Sequence, residues 1–170
     1  LGIFASAHLL KPEFHHTVFV NVPDLRVRSK SETMAGRDIE ITDEWLAWDK
    51  QRDPHQPAFS FLFYDSPHGY TFPKDYPYRI EPQVTEVNYL TLNEKTDPTP
   101  IINRYNNSVH FNDSLIGKVL KQIKDKGELD NTLVIITGDH GQEINDNKLN
   151  FWGHNSNFTD AQIKVPFIAL

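Results

Sequence analysis

The chain has 170 residues, 38% hydrophobic and 24% charged, with 17 basic against 23 acidic side chains and a formal net charge of −6. That length is one domain's worth, domains running to roughly 100–200 residues, and it can bury a core without covalent staples. With no basic block a nucleic-acid partner is disfavoured, no apolar run reaches the roughly 18–20 residues of a membrane span, and zero cysteines exclude disulfides, thiolate metal sites and cysteine nucleophiles.

In chain order, residues 1–7 read as a short buried strand, and residues 17–20 as a second β-rich patch closed by Pro23. Residues 26–38 are polar, contain Gly36, and read as a surface loop. Thr42 or Asp43 then caps a helix carrying Trp45, Leu46 and Trp48, which breaks at Asp53-Pro54. The run Phe59, Phe61, Leu62, Phe63, Tyr64 is too continuous for a half-exposed strand, so residues 58–65 are expected to be a central one. It ends in the loop Asp65-Ser66-Pro67-His68-Gly69. Residues 70–100 hold most of the prolines and read as an irregular covering segment.

A long helix is predicted from about Ile101 to Lys126, with Tyr105, Val109, Ile116, Val119, Leu120 and Ile123 in one apolar stripe. Val109, Ile116 and Leu120 should face inward, and Asp113, on the same face, should be a buried carboxylate that either holds loop amides structurally or backs the site's own residues. Gly127 stops the helix. Residues 132–137 form a β-branched strand, and residues 164–170 a last one. Long helix followed by buried strand is the signature of an α/β fold, a mostly parallel sheet flanked by helices. The strands at 58–65 and 132–137 should lie adjacent or nearly so. Both ends fall inside strands, which suggests an excerpt from a longer chain.

In open α/β sheets ligands bind beyond the carboxyl ends of strands. The sharpest such end is Gly138-Asp139-His140-Gly141. A carboxylate beside an imidazole suits zinc or manganese, with magnesium and calcium preferring oxygens alone. The alternative is a turn whose side chains cap backbone amides, and two ligands do not make a site. His154, after Trp152-Gly153, could ligate a metal or hold an anionic oxygen, or simply be a loop imidazole packed on Trp152; His68 has the same two readings. The pair His15-His16 reads as solvated surface.

The runs Asn131-Thr132-Leu133-Val134-Ile135-Ile136-Thr137-Gly138-Asp139-His140-Gly141 and Trp152-Gly153-His154, with Tyr105, His110, Asp113 and Gly117 before them, resemble the alkaline-phosphatase/sulfatase superfamily. More narrowly, Phe61-Leu62-Phe63-Tyr64-Asp65-Ser66-Pro67-His68-Gly69-Tyr70 and Trp152-Gly153-His154-Asn155-Ser156-Asn157-Phe158 are similar to YejM (PbgA)-like inner-membrane proteins. The resemblance spans nearly the whole chain, and residues 1–170 would be the central portion of one sulfatase-like periplasmic domain.

The resemblance implies a metal-dependent phosphate- or sulfate-ester hydrolase, or a phosphoglycerol- or phosphoethanolamine-transferase-like domain, of a membrane-anchored envelope protein. Asp139 and His140 match paired ligands of a divalent metal (Mn, Zn, Mg or Ca), and His68 and His154 match catalytic histidines facing the ester oxygens. Implied partners are an anionic phosphate or sulfate ester or a lipid headgroup, and the membrane through N-terminal helices, at the periplasmic face of a bacterial inner membrane. The alternative is a non-catalytic sulfatase-like module that senses or binds lipid, lipopolysaccharide or cardiolipin, or a protein partner. The family nucleophile and first acidic ligand are expected upstream of Leu1, so the metal site should be empty or weakly filled and these residues alone inactive. Relatives often read Asp-His-Gly-Glu, whereas Gln142 stands in that place here and Glu143 follows.

Overall fold

The computed structural model describes residues 1–155 and 157–170. They form two compact units, one of Leu1–Arg79 with Tyr105–Lys126, the other of Ile80–Arg104 with Gly127–Leu170.

In the first unit, strand β1 (Gly2–Ala5) pairs in parallel with β2 (Ser60–Phe63), in register from Gly2 opposite Ser60 to Ala5 opposite Phe63. Parallel partners need a long crossover, and helix α1 (Met34–Gln51) supplies it. Ala35, Asp38, Ile41, Thr42, Trp45 and Asp49 make its buried face, with the Trp45 indole N–H donating to Ser60 Oγ at 3.0 Å. α1 begins well before the expected cap at Thr42 or Asp43. Thr33 is the N-cap, its hydroxyl accepting from Gly36 N at 3.0 Å, and Glu40 accepts from the Lys30 and Ser31 amides while pairing with Arg26. The polar stretch is therefore helical because its polar groups tie the cap to the preceding loop. The expected patch at 17–20 is a run of turns.

Helix α2 (Thr99–Asp125) lies close to its expected bounds and ends at Gly127 with φ +71°. Its buried face is a correction. Phe111, Leu115, Val119 and Ile123 point inward, whereas Val109 is 40% exposed and Asp113 faces solvent. Phe111 and Leu115 join Ala35 and Tyr76 in the core, flanked by Ile39, Tyr64 and Phe72. At the far end of the helix pair, the buried Asp49 carboxylate accepts from Arg52 Nε (2.7 Å), Gln122 Nε2 (2.7 Å) and Lys126 Nζ (3.1 Å).

The second unit holds two antiparallel ribbons. β3 (Ile135–Thr137) pairs with β6 (Phe167–Ala169), Ile136 opposite Ile168. β4 (Glu143–Ile144) pairs with β5 (Trp152–Gly153), Glu143 opposite Gly153. A short helix α3 (Asp160–Ile163) precedes β6. Residues 80–98 are largely irregular as expected, with one 3-10 turn at Tyr89–Thr91. The mostly parallel sheet is not what forms: among the described residues one pair is parallel and two antiparallel, and β2 and β3 belong to separate sheets. β2 is also not central, β1 being its one partner among the described residues. β3 finds β6 because residues 138–166 return the chain alongside it in the opposite sense. No described helix is long and apolar enough to cross a membrane.

Candidate active site

β3 delivers the chain to Gly138-Asp139-His140-Gly141, and the β4–β5 ribbon brings Trp152-Gly153-His154 back beside it. The loop between β4 and β5 closes through Asn145 N donating to Phe151 O at 2.9 Å, with Asn145, Lys148 and Asn150 in left-handed conformations. Gly153 has φ +101°, a backbone that L side chains rarely adopt, so the turn into His154 needs glycine. The result is that the His140 and His154 rings stack, centroids 4.0 Å apart and planes inclined by 24°.

The ring orientations are set by hydrogen bonds. His140 Nδ1 lies 2.8 Å from Gly141 O. A carbonyl only accepts, so Nδ1 carries the proton and the neutral ring has its lone pair on Nε2. His154 Nδ1 sits 2.9 Å from Gln142 Oε1, an acceptor in the same relation to its ring. Asp139 Oδ1 accepts from its neighbour's amide, His140 N, at 3.1 Å, and lies 3.8 Å from His140 Nε2. The capping geometry of the Asp-His turn is thus present, Asp139 Oδ1 holding the His140 amide while the exposed carboxylate stands beside the imidazole.

Beneath this surface Gly141 is pressed against α3. Its amide donates to Gln162 O at 2.8 Å, and a Cβ there would come within 2.2 Å of Ala161 O. Glu143 is fully buried. Burial alone would raise its pKa, but hydrogen bonds from Gln162, Thr159, Asn147 and Asn157 outweigh that and hold the carboxyl below its ordinary range. In the sequence Gln142 and Glu143 stand out only as a departure from Asp-His-Gly-Glu. In the fold, Gln142 holds His154, and Glu143 binds the loops under the site.

His68 belongs to the first unit, in the turn after β2, with His68 N donating to Asp65 O at 3.2 Å and its Nδ1 3.7 Å from Asp65 Oδ1. Asp65 is in turn paired with Arg37 at 3.1 Å. The turn is fastened from below by Asp38, which accepts from the Asp65 and Ser66 amides at 3.0 and 2.9 Å. Burial raises the Asp38 carboxyl above its ordinary pKa, hydrogen bonding offsetting only part of the effect.

Residues 11–170 match the sulfatase family model. The chain belongs to the sulfatase family. Its likeness to an uncharacterized sulfatase, YdeN of Escherichia coli (strain K12), is 28% identity over 130 residues, covering 75% of this chain and 21% of that protein. Among solved structures, the phosphonate monoester hydrolase of Agrobacterium radiobacter superposes with a TM-score of 0.59 at 18% identity, over 78% of this chain and 32% of that one. The chain therefore spans a third or less of the length of these relatives, and the second likeness shows a shared α/β fold.

Metal dependence is general in this superfamily. Asp139 and His140 fit a divalent ion in kind, although their 3.8 Å spacing is wider than the roughly 3.4 Å of two tetrahedral donors each about 2.1 Å from one ion. In number they fall short. Among the described residues no three His, Asp or Glu side chains gather as a metal-binding group.

Proposed function

We propose that this sulfatase chain forms part of a metal-dependent hydrolase, or related transferase, acting on phosphate or sulfate esters. Asp139 and His140 would contribute two of the metal's donors, and His154 would face the ester oxygens. The observation that carries the reading is the stacked His140–His154 pair, with His140 held by the Gly141 carbonyl in the tautomer that a metal ligand needs. A bound ion would supply Lewis-acid polarisation of the ester and activation of an oxygen nucleophile. The chain's own part is positioning: Gln142 orients His154, and the Gly141 carbonyl orients His140. In its protonated form His154 would donate to the anionic ester oxygens where negative charge builds. The finer placement, next to YejM-like proteins at the periplasmic face of an inner membrane with a lipid headgroup as ester, rests on the sequence runs 61–70 and 152–158.

A second reading, a sulfatase-like module that binds a lipid headgroup without turnover, draws support from Asp139, whose Oδ1 is engaged by the His140 amide. One assay separates the two. The intact protein is supplied with manganese, zinc or magnesium and an aryl phosphate or aryl sulfate. Metal-dependent turnover that drops about 10²–10³-fold in His154→Ala, the usual cost of losing one oxyanion donor, and disappears in Asp139→Ala supports the hydrolase. Turnover indifferent to both substitutions refutes it. Vesicle binding with no turnover favours the module.

A further inference from the structure

We infer that Glu143 is the positioning residue of this site, the buried anion that holds His140 and His154 face to face. The inference rests on the hydrolase reading for its catalytic meaning, and on the geometry alone for the positioning. Glu143 is wholly buried, and the partners of its carboxylate are neutral side chains. Oε1 accepts from Asn147 Nδ2 at 2.9 Å; Oε2 accepts from Asn157 Nδ2 at 3.2 Å, Thr159 Oγ1 at 2.8 Å and Gln162 Nε2 at 2.8 Å. A buried carboxylate is very costly unless hydrogen-bonded throughout, so this one is worth keeping only where it fixes several segments at once.

The segments it fixes bear directly on the two imidazoles. Asn147 belongs to the β4–β5 loop, and Glu143 itself stands opposite Gly153, one residue before His154. Asn157 and Thr159 lie just beyond His154 and are drawn to Oε2. Gln162 reaches the same oxygen with its amide while its backbone carbonyl receives Gly141 N, next to His140. Glu143 therefore grips the chain on both sides of His154 and braces the helix against which His140's neighbour is packed. An uncharged amide at this position would present N–H groups to donors and disrupt every contact on the affected oxygen.

The test reads the rings themselves. In the intact protein with labelled histidine, Glu143→Gln should shift the His140 and His154 imidazole resonances, leaving those of His15 and His110 in place. Where turnover is measurable, kcat should fall about 10–100-fold, the usual cost of losing an outer partner of a ligand, with KM little changed, and Glu143→Asp should recover part of it. Thr159→Val, which removes one donor and spares the carboxylate, should move the same two resonances less, and it decides the matter if Glu143→Gln does not fold. A lower melting temperature with unmoved His140 and His154 resonances would show that Glu143 merely stabilises the fold, and would overturn the inference. If the intact protein turns over no ester, the hydrolase reading fails while the resonances still decide the role of Glu143.

Discussion

Three buried carboxylates, Asp38, Asp49 and Glu143, divide according to what surrounds them. Asp49 has Arg52 and Lys126 beside it, and although its burial opposes ionisation, hydrogen bonds from Arg52, Gln122 and Lys126 leave its pKa lowered. Glu143 is lowered by neutral donors, whereas Asp38, gripping two amides, is raised by burial. The signs for stability follow by linkage. The contributions of Asp49 and Glu143 are present above their unfolded pKa values and are lost as pH falls through the depressed folded ones. Asp38 contributes most below 3.8, its ordinary value, and that contribution is lost as pH rises through the raised folded pKa. Urea midpoints across mildly acidic to neutral pH check this: the stability of wild type relative to Asp38→Asn should shrink as pH rises, and a difference that grows with pH would contradict the assignment. Glycines give a second contrast. Gly141→Ala drives a Cβ into the Ala161 carbonyl and should destabilise by about 1–3 kcal/mol, as overpacking does. Gly117→Ala, in α2 with nothing within 4 Å of the added Cβ, should stabilise by about 0.5–1 kcal/mol. Thermal melts of the two variants should move in opposite directions.

Among the elements, α2 is where the sequence was both informative and misleading. Its length and its stop at Gly127 were legible because the three- and four-residue recurrence is long and the terminal glycine takes a positive φ. Its phase was not. The buried face includes Asn107 and Ser108, both fully buried, with the Ser108 hydroxyl donating to Tyr105 O at 2.6 Å. Those polar residues pull an apolar-stripe reading off the true face and onto Val109, Ile116 and Leu120. Leu115→Ala, at 1% exposure, should cost about 2–5 kcal/mol, whereas Val109→Ala should change stability by within about 0.5 kcal/mol. Equal losses in the two urea midpoints would restore the original phase. α1 failed differently: its start is written in Thr33 and in a carboxylate, Glu40, that reaches back to the Lys30 and Ser31 amides. Such a tie between helix and loop leaves no periodic trace. The Asp139-His140 turn, by contrast, was legible from its place at a strand end. The role of Glu143 was not, because its donors lie up to nineteen residues away, in segments with no pattern of their own.

At the scale of the whole chain, the runs read as strands become strands except the patch at 17–20, and among the described residues each of these strands pairs with a single neighbour. Strand identity is local, written in β-branched and aromatic runs, while pairing depends on distant segments and their turns. The β3–β6 ribbon keeps Ile135 at 53% and Phe167 at 71% exposure, and two strands alone are marginal in water. The same economy governs the metal. Asp139 and His140 are two donors, and among the described residues no third His, Asp or Glu completes a group with them. Ligand binding stabilises a folded chain by RT ln(1 + [L]/Kd), so a site of about 1 μM affinity would give about 4 kcal/mol in 1 mM manganese. For a chain of this size that corresponds to roughly 10 °C in melting temperature, at about 2–4 °C per kcal/mol. Two donors, one of them partly engaged with the His140 amide, should hold the ion far more loosely, and the 170-residue chain should melt within about 2 °C of its metal-free value, given that a dissociation constant near 1 mM yields only about 0.4 kcal/mol. The control is Asp139→Ala, which should abolish even that shift. A rise near 10 °C that vanishes in Asp139→Ala would mean that a third donor exists within these residues and that the chain holds its metal unaided.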